Sequence, residues 1–194
     1  MDKVHYSGFD SPFGLVFVAR TAKGICLIKF SNVSERKFLS VLKKRYRKNI
    51  LRDHKVFADV KKSLDKYFKG TPVDFEFPLD LSTGTKFQKK VWQKVKEIPY
   101  GGLRSYKWIA EATGSARAYR AVGSAVGQNP VAPIIPCHRV ICSDGSLGGY
   151  SSGIPLKKRL LKLEGYSVDA DSHYYKKIGA YSDFNKFSGF LKTG

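Results

Sequence analysis

Cys137 is followed directly by His138 and Arg139, and the chain reaches it through Asn129-Pro130-Val131-Ala132-Pro133-Ile134-Ile135-Pro136. These residue types suit one kind of chemistry, a thiol made nucleophilic by a neighbouring imidazole. A free thiol titrates at about 8.5, so only a few per cent of it is thiolate at neutral pH. An imidazole that takes the proton, and a carboxylate that holds the imidazole in the right tautomer, remove that handicap. Consecutive side chains of a strand point to opposite faces, so His138 assists Cys137 only where the chain turns or where a water bridges them. The carboxylate must come from elsewhere, and Glu164, at the end of the apolar helix expected over 156–163, is the candidate. The competing reading of Cys137 is an inert small hydrophobe, the usual fate of a buried cysteine. Ile134 and Ile135 are too apolar for an exposed loop and predict that the stretch is buried, with prolines fixing its approach.

The elements that must position these residues fall into two parts. Residues 4–9, 13–20 and 23–30 are short apolar or aromatic runs broken by Ser11-Pro12 and Lys23-Gly24, the pattern of a small antiparallel meander. Helical stripes follow: Phe38, Val41, Leu42 and Tyr46 over 35–48 with Ser34 as N-cap, then Val56, Val60, Leu64 and Phe68 over 56–68, closed by Gly70. Residues 71–83, with Pro72 and Pro78, carry few helical signals and read as a boundary. Beyond it, Thr85 caps a helix with Phe87, Val91, Val95 and Ile98 on one face, ended by Pro99-Tyr100-Gly101-Gly102. A short helix capped by Ser105, a turn at Gly114 and a small-residue helix over 115–127 have the shape of a helix-turn-helix. Ala118, Ala121, Gly123, Ser124 and Ala125 let that second helix lie close either to a nucleic-acid backbone or to another helix. The expected architecture is α/β (α+β): an N-terminal domain over 1–78, a linker at 79–84, a mostly helical domain over 85–166 and an extension over 167–194.

Composition narrows the partner. With 194 residues, 42% of them hydrophobic and 13% aromatic, the chain can bury a core and is unlike a disordered tail. Its net charge of +19 favours a polyanion, nucleic acid first and an anionic membrane second. Clusters such as Lys43-Lys44-Arg45-Tyr46-Arg47-Lys48, Lys61-Lys62, Lys89-Lys90 and Lys157-Lys158-Arg159 are spread along the chain rather than gathered on one amphipathic helix, which argues against the membrane. The N-terminus lacks the apolar stretch of a signal peptide and no apolar run is long enough to span a bilayer, so a cytoplasmic protein is expected. The 3 cysteines, Cys26, Cys137 and Cys142, form no CxxC pair, and His5, His54 and His173 have no ligand-like spacing to them. Neither a disulfide framework nor a metal is expected. Cys26 reads as core and Cys142 as structural. A single Met and Gln only at 88, 93 and 128 hint at a thermophile.

Pro136-Cys137-His138-Arg139-Val140 resembles the active-site signature of the O6-alkylguanine-DNA alkyltransferases. The flanking motifs fit the same family: Gly84-Thr85-x-Phe87-Gln88-x-x-Val91-Trp92, Ser105-Tyr106, Arg120-Ala121-Val122-Gly123, Asn129-Pro130, Gly148-x-Tyr150-Ser151-x-Gly153 and Leu160-Leu161-x-Leu163-Glu164-Gly165. The similarity runs over about 84–166, with a looser likeness towards the N-terminus. It implies an RNase H-like N-terminal sheet without catalytic residues. It also implies direct-reversal repair, the irreversible, single-turnover transfer of an alkyl group from O6-alkylguanine, and less well O4-alkylthymine, in duplex DNA to Cys137. In that scheme His138 activates Cys137 through water, Glu164 holds His138, and Asn129 braces the turn before the active-site segment. Tyr150 and the Ser151 backbone contact a flipped base, and the carbonyls of Val140 and Cys137 receive its exocyclic amine. Arg120 fills the gap in the duplex, Tyr106 helps rotate the phosphate, and Ala121 and Gly123 lie along the DNA, the helix entering the minor groove. The scheme needs no cofactor and suits a monomer whose partner is double-stranded DNA carrying alkylated guanine. Bland roles compete: half-buried tyrosines for Tyr106 and Tyr150, a phosphate contact for Arg120.

Two rival functions differ in kind. A relative that only marks lesions would carry another residue in place of Cys137. A small-molecule thiol hydrolase using Cys137 and His138 would leave the charge and the helix-turn-helix unexplained. The segment after 166, with aromatics at 174, 175, 181, 184, 187 and 190, lies beyond the resemblance, and 184–191 permit a short amphipathic helix weakened by Ser188-Gly189.

Overall fold

The computed structural model describes residues 3–30, 33–46, 49–168 and 175–177. The short apolar runs read in the first thirty residues become three strands, β1 (Lys3–Phe9), β2 (Val16–Thr21) and β3 (Gly24–Lys29), each antiparallel to the next. Helix α1 (Glu35–Tyr46) follows, with the Ser34 hydroxyl accepting from Lys37 N, and buries Phe38 and Leu42 on one face of the sheet. The sheet is not purely antiparallel, however. Strand β4 (Asn49–Arg52) adds parallel to β1, giving the order β3-β2-β1-β4. It is a short edge strand with three of its four residues exposed, so it carries no apolar alternation to read.

Helix α2 (Ala58–Phe68) covers the other face with Val60, Leu64, Tyr67 and Phe68. It starts later than the stripe predicted: residues 55–57 form a 3-10 turn, Phe57 is buried, and Val56 points to solvent. Residues 71–83 form no helix but are strapped to the sheet edge. Ile25 N donates to Pro78 O and Asp80 N to Ile25 O, while the Thr21 hydroxyl donates to buried Asp80 at 2.6 Å.

Helix α3 (Lys86–Lys96) begins in a full capping box, Thr85 accepting from Gln88 N and Gln88 Oε1 from Thr85 N. Strand β5 (Arg104–Ser105), helix α4 (Tyr106–Ala112) and helix α5 (Tyr119–Gly127) follow, with Ser105 capping α4. Helix α5 starts four residues after the predicted position because 115–118 make a turn, Ala118 N bonding Ser115 O. Its small residues divide between two faces. Val122, Ala125 and Val126 face inward, and Trp92 Nε1 donates to Ala125 O at 2.7 Å, while Ala121, Ser124 and Gly127 face outward.

The chain then turns through Cys137–Arg139 into β6 (Val140–Ile141), which pairs parallel with β5, and continues to α6 (Ile154–Leu163). Strand β7 (Tyr166–Val168) pairs with β8 (Tyr175–Lys177), so part of the C-terminal segment forms a hairpin. The helix considered over 184–191 lies outside the described residues. One apolar cluster runs from β2 and β3 through α2 into α3, α4, α5 and Cys137, so the two halves share a core. Among the described residues no helix is long and apolar enough to cross a membrane, and no cluster of His, Cys, Asp and Glu could hold a metal.

Candidate active site and DNA-facing surface

The chain turns at Cys137, as assistance from His138 requires. A single 3-10 turn spans Cys137–Arg139, closed by Arg139 N to Pro136 O and preceded by Cys137 N to Ile135 O. All three side chains are buried. Asn129, just past the end of α5, fixes the approach. Its Nδ2 donates to Ile135 O at 2.7 Å and to Cys137 Sγ at 3.1 Å, and its Oδ1 accepts from Val131 N. Asn129 therefore ties the end of α5 to the turn and touches the sulfur as well, a contact that the sequence does not display.

Glu164 caps the C-terminal end of α6 and meets His138, whose Nε2 donates to Oε1 at 2.8 Å. Arg139 grips the same carboxylate, Nη2 to Oε1 at 2.9 Å and Nε to Oε2 at 3.0 Å, and its Nη1 donates to Ile98 O. Gly101 N adds a fourth donor and the Tyr67 hydroxyl, from α2, a fifth. Burial alone would raise the Glu164 carboxyl, but the charges and hydrogen bonds of His138 and Arg139 hold it well below the usual carboxylate range. His138 is fully buried, and burial lowers its basicity, partly offset by Glu164. Its Nδ1 makes no hydrogen bond among the described residues.

Burial also raises the Cys137 thiol; the Asn129 amide, the Lys157 charge and the Tyr150 hydroxyl pull the other way. Lys157 corrects the surface reading of the 157–159 cluster. Its side chain is completely buried, and Nζ donates to Val140 O at 2.6 Å and to Leu147 O. Burial lowers it to about 8. Val140 thus presents a carbonyl with one of its two lone pairs already used.

The Tyr150 hydroxyl is buried beside Cys137 without a well-formed hydrogen bond of its own, and burial followed by the Cys137 charge holds it well above its ordinary value. Tyr106, Gly123 and Tyr150 meet in a cavity of about 410 Å³ that Tyr119, Cys142 and Gly148 also line. Gly148 is required there: its φ is +63, and a Cβ would stand 2.9 Å from Tyr106 Cε2 and 3.1 Å from Cys142 Sγ. Cys142, expected to be structural, is half-buried in this wall, while Cys26 sits in the core. Arg120 and Ala121 stand exposed on α5, and Ser151 is exposed after Tyr150. The predicted residues therefore form two groups. Cys137, His138, Glu164, Asn129, Tyr150 and Val140 are gathered inside; Tyr106, Arg120, Ala121 and Gly123 lie on the helix pair that opens to solvent, with Lys86, Lys89, Lys90, Lys107 and Arg117 exposed around it.

The sequence reading missed Tyr67, Lys157 and the clasp of Arg139. Tyr67 had a signal: it follows Val60 and Leu64 at helical spacing, and a buried tyrosine hydroxyl needs a partner. Lys157 had none, since a lysine between basic neighbours looks like solvated surface.

A buried thiol next to an imidazole–carboxylate pair, beneath two short helices rimmed by lysine and arginine, is the arrangement that a protein bringing a cysteine to DNA would need. The family is then specific. Residues 86–166 match the family model of the 6-O-methylguanine DNA methyltransferase DNA-binding domain, and residues 4–81 that of its ribonuclease-like domain. The chain is 44% identical to the methylated-DNA–protein-cysteine methyltransferase of Methanosarcina barkeri, over 83% of this chain and 97% of that protein. It is 39% identical to the one from Sulfolobus acidocaldarius, over 85% and 96%. Among solved structures it resembles the Mycobacterium tuberculosis protein in complex with DNA, with a TM-score of 0.72 and 39% identity over 82% of this chain and 92% of that one. The hyperthermophilic Pyrococcus kodakaraensis O6-methylguanine-DNA methyltransferase gives 0.62 and 26%, over 84% and 99%. The chain belongs to the methylated-DNA–protein-cysteine methyltransferase family.

Proposed function

We propose that this protein repairs DNA by moving the alkyl group of O6-alkylguanine, and less readily of O4-alkylthymine, onto Cys137, each molecule acting once. The observation that carries this reading is the buried Cys137 sulfur held by Asn129 within one turn of the His138–Glu164 pair. The base must leave the stack to reach a sulfur at that depth, at a cost of a few kcal/mol that a weakened lesion pair lowers. Arg120 on α5 fills the gap, Tyr106 turns the phosphate, and the surrounding lysines and arginines hold the backbone.

His138 takes the Cys137 proton through a water, using the nitrogen that Glu164 leaves free. The thiolate attacks the alkyl carbon, the S–C bond forms and the C–O6 bond breaks, its electron pair passing into the guanine. Tyr150 donates a proton to the departing base. The Val140 and Cys137 carbonyls and the Ser151 backbone read the base edge; Ala121 and Gly123 allow close approach in the minor groove. The thioether has no group nearby that reverses it. The work divides between an N-terminal domain over 1–78 and a DNA-binding and transfer domain over 85–166, acting as a monomer in the cytoplasm.

The test is incubation with a duplex carrying O6-methylguanine, followed by intact and peptide mass spectra, with Cys137→Ala as control. One methyl mass on the Cys137 peptide, stopping at one equivalent and absent from the variant, is the expected result. Tight lesion binding without a mass change would replace transfer by lesion marking.

A further inference from the structure

Tyr67 belongs to the half of the molecule that the transfer scheme leaves without a chemical role. Its position in α2 nevertheless puts its hydroxyl into the relay. Oη donates to Glu164 Oε1 at 2.7 Å and lies 3.2 Å from His138 Nε2, and the side chain is completely buried. Three aromatic neighbours fix the ring: Phe75 at 5.6 Å, Phe68 at 5.8 Å and Tyr100 edge-on at 6.1 Å between centroids. Tyr100 is in turn tied by its hydroxyl to Gly70 O and Leu163 O, so both sides of the interface between α2 and α6 are pinned. Packing alone would be served by phenylalanine; a buried hydroxyl is costly unless it bonds.

The arrangement closes a triangle. The phenol proton is committed to Glu164, so an oxygen lone pair remains for the Nε2–H of His138, which also faces Glu164. Two acceptors therefore surround Nε2–H, and among the described residues none bonds Nδ1. Both acceptors interact more strongly with an imidazolium than with a neutral imidazole, because the N–H is then more polar.

We infer that Tyr67 is a positioning residue of the transfer reaction, through which the N-terminal half holds His138 with its proton on Nε2 and strengthens it as a base for Cys137. This rests on the alkyl-transfer reading above. It assigns the N-terminal half a part in the chemistry as well as in the fold.

The experiment compares wild type with Tyr67→Phe, which removes one oxygen and keeps the ring. Single-turnover methyl transfer to Cys137 is followed from pH 4.5 to 9, alongside lesion-duplex affinity and melting temperature. The expected loss is about tenfold at neutral pH, the size of one hydrogen bond to a charged group. Duplex affinity stays the same. The acid limb of the profile moves to lower pH, because an imidazolium without the Tyr67 acceptor gives up its proton more readily. Equal rates at all pH values overturn the inference. So does a loss of rate with the acid limb unmoved, which marks a purely structural role. If wild type itself gains no methyl mass, it is the transfer reading that fails. Should Tyr67→Phe not fold, NMR of the wild type decides: a slowly exchanging Tyr67 hydroxyl proton with a nuclear Overhauser contact to the His138 ring supports the bond, and its absence refutes it.

Discussion

Glu164→Gln should be among the most damaging single substitutions outside the sulfur itself, although it keeps the number of non-hydrogen atoms in the side chain. The carboxylate receives donors from His138, Tyr67, Gly101 and both prongs of Arg139, with its own side chain fully enclosed. Glutamine keeps one acceptor oxygen and sets an amide NH₂ against the remaining donors, leaving the 7% exposed Arg139 without a counter-charge. Breaking a buried pair from one side costs about 3–5 kcal/mol. For a chain of this size that lowers the melting temperature by roughly 6–20 °C, and a fold in the middle or upper part of the usual range of about 5–15 kcal/mol survives it. Urea unfolding at pH 7 measures the loss as a shift in midpoint at constant slope. The pH dependence adds a second check. The folded carboxyl is held below its unfolded value, so its contribution is complete above about pH 5 and drains away as pH falls below the ordinary carboxylate pKa of about 4.3. The gap between wild type and variant should therefore narrow from pH 5 to pH 3. A loss under about 1 kcal/mol at pH 7, or a gap that does not narrow in acid, would refute the reasoning that this carboxylate is the charged hub of the site.

Asn129→Ala leaves Val131 N unpaired, takes one of two donors from Ile135 O and leaves the Cys137 sulfur without its amide donor; a destabilisation of about 2 kcal/mol with transfer slowed more than duplex binding is expected, read by urea melts and methyl-mass kinetics. Arg120→Ala is exposed and should shift stability by no more than about 0.5 kcal/mol. If Arg120 fills the duplex gap, the variant loses transfer from lesion DNA but not from the free alkylated base, whereas a bare phosphate contact only reduces the salt slope of binding by about one. Gly148→Ala forces a left-handed alanine into Tyr106 and Cys142, so about 1–2 kcal/mol of backbone strain and slower transfer with intact duplex binding are expected from the same two assays.

Much of this was legible because the signals were local. Thr85 and Ser105 followed by apolar stripes specify where α3 and α4 begin, and the short apolar runs over 4–9, 13–20 and 23–30 show where β1–β3 lie. Cys137, His138 and Asn129 lie close in sequence, so one segment displays them together. What stayed hidden depends on distant parts of the chain. Tyr67 and His138 are 71 residues apart and Tyr67 and Glu164 97 apart, and only the packing of α2 against the α6 end joins them. Strand β4 has too few inward residues to show a period. Lys157 illustrates the reverse failure: its type argues for solvent, and only two carbonyls turned towards it explain why it is inside.

The electrostatics of the site suit a protein that reacts once. Burial raises the Cys137 thiol and lowers His138, so the resting pair is neutral: thiol and imidazole rather than thiolate and imidazolium. A protein that cannot regenerate its acceptor loses its function to any oxidant or stray electrophile that finds a thiolate, and reactivity of that kind follows thiolate character and exposure. Keeping the sulfur protonated and 3% exposed limits that loss. On the proposed mechanism the charge forms when a base fills the cavity and the proton moves to His138, beside a Glu164 carboxylate that is held ionised. The Asn129 amide donates to the sulfur beforehand and the Lys157 charge, anchored on the Val140 and Leu147 carbonyls, favours the thiolate, so the developing charge meets a fixed dipole and a cation. On this argument, substitutions that make Cys137 more acidic at rest should shorten the life of the protein under oxidant before they improve its rate of repair.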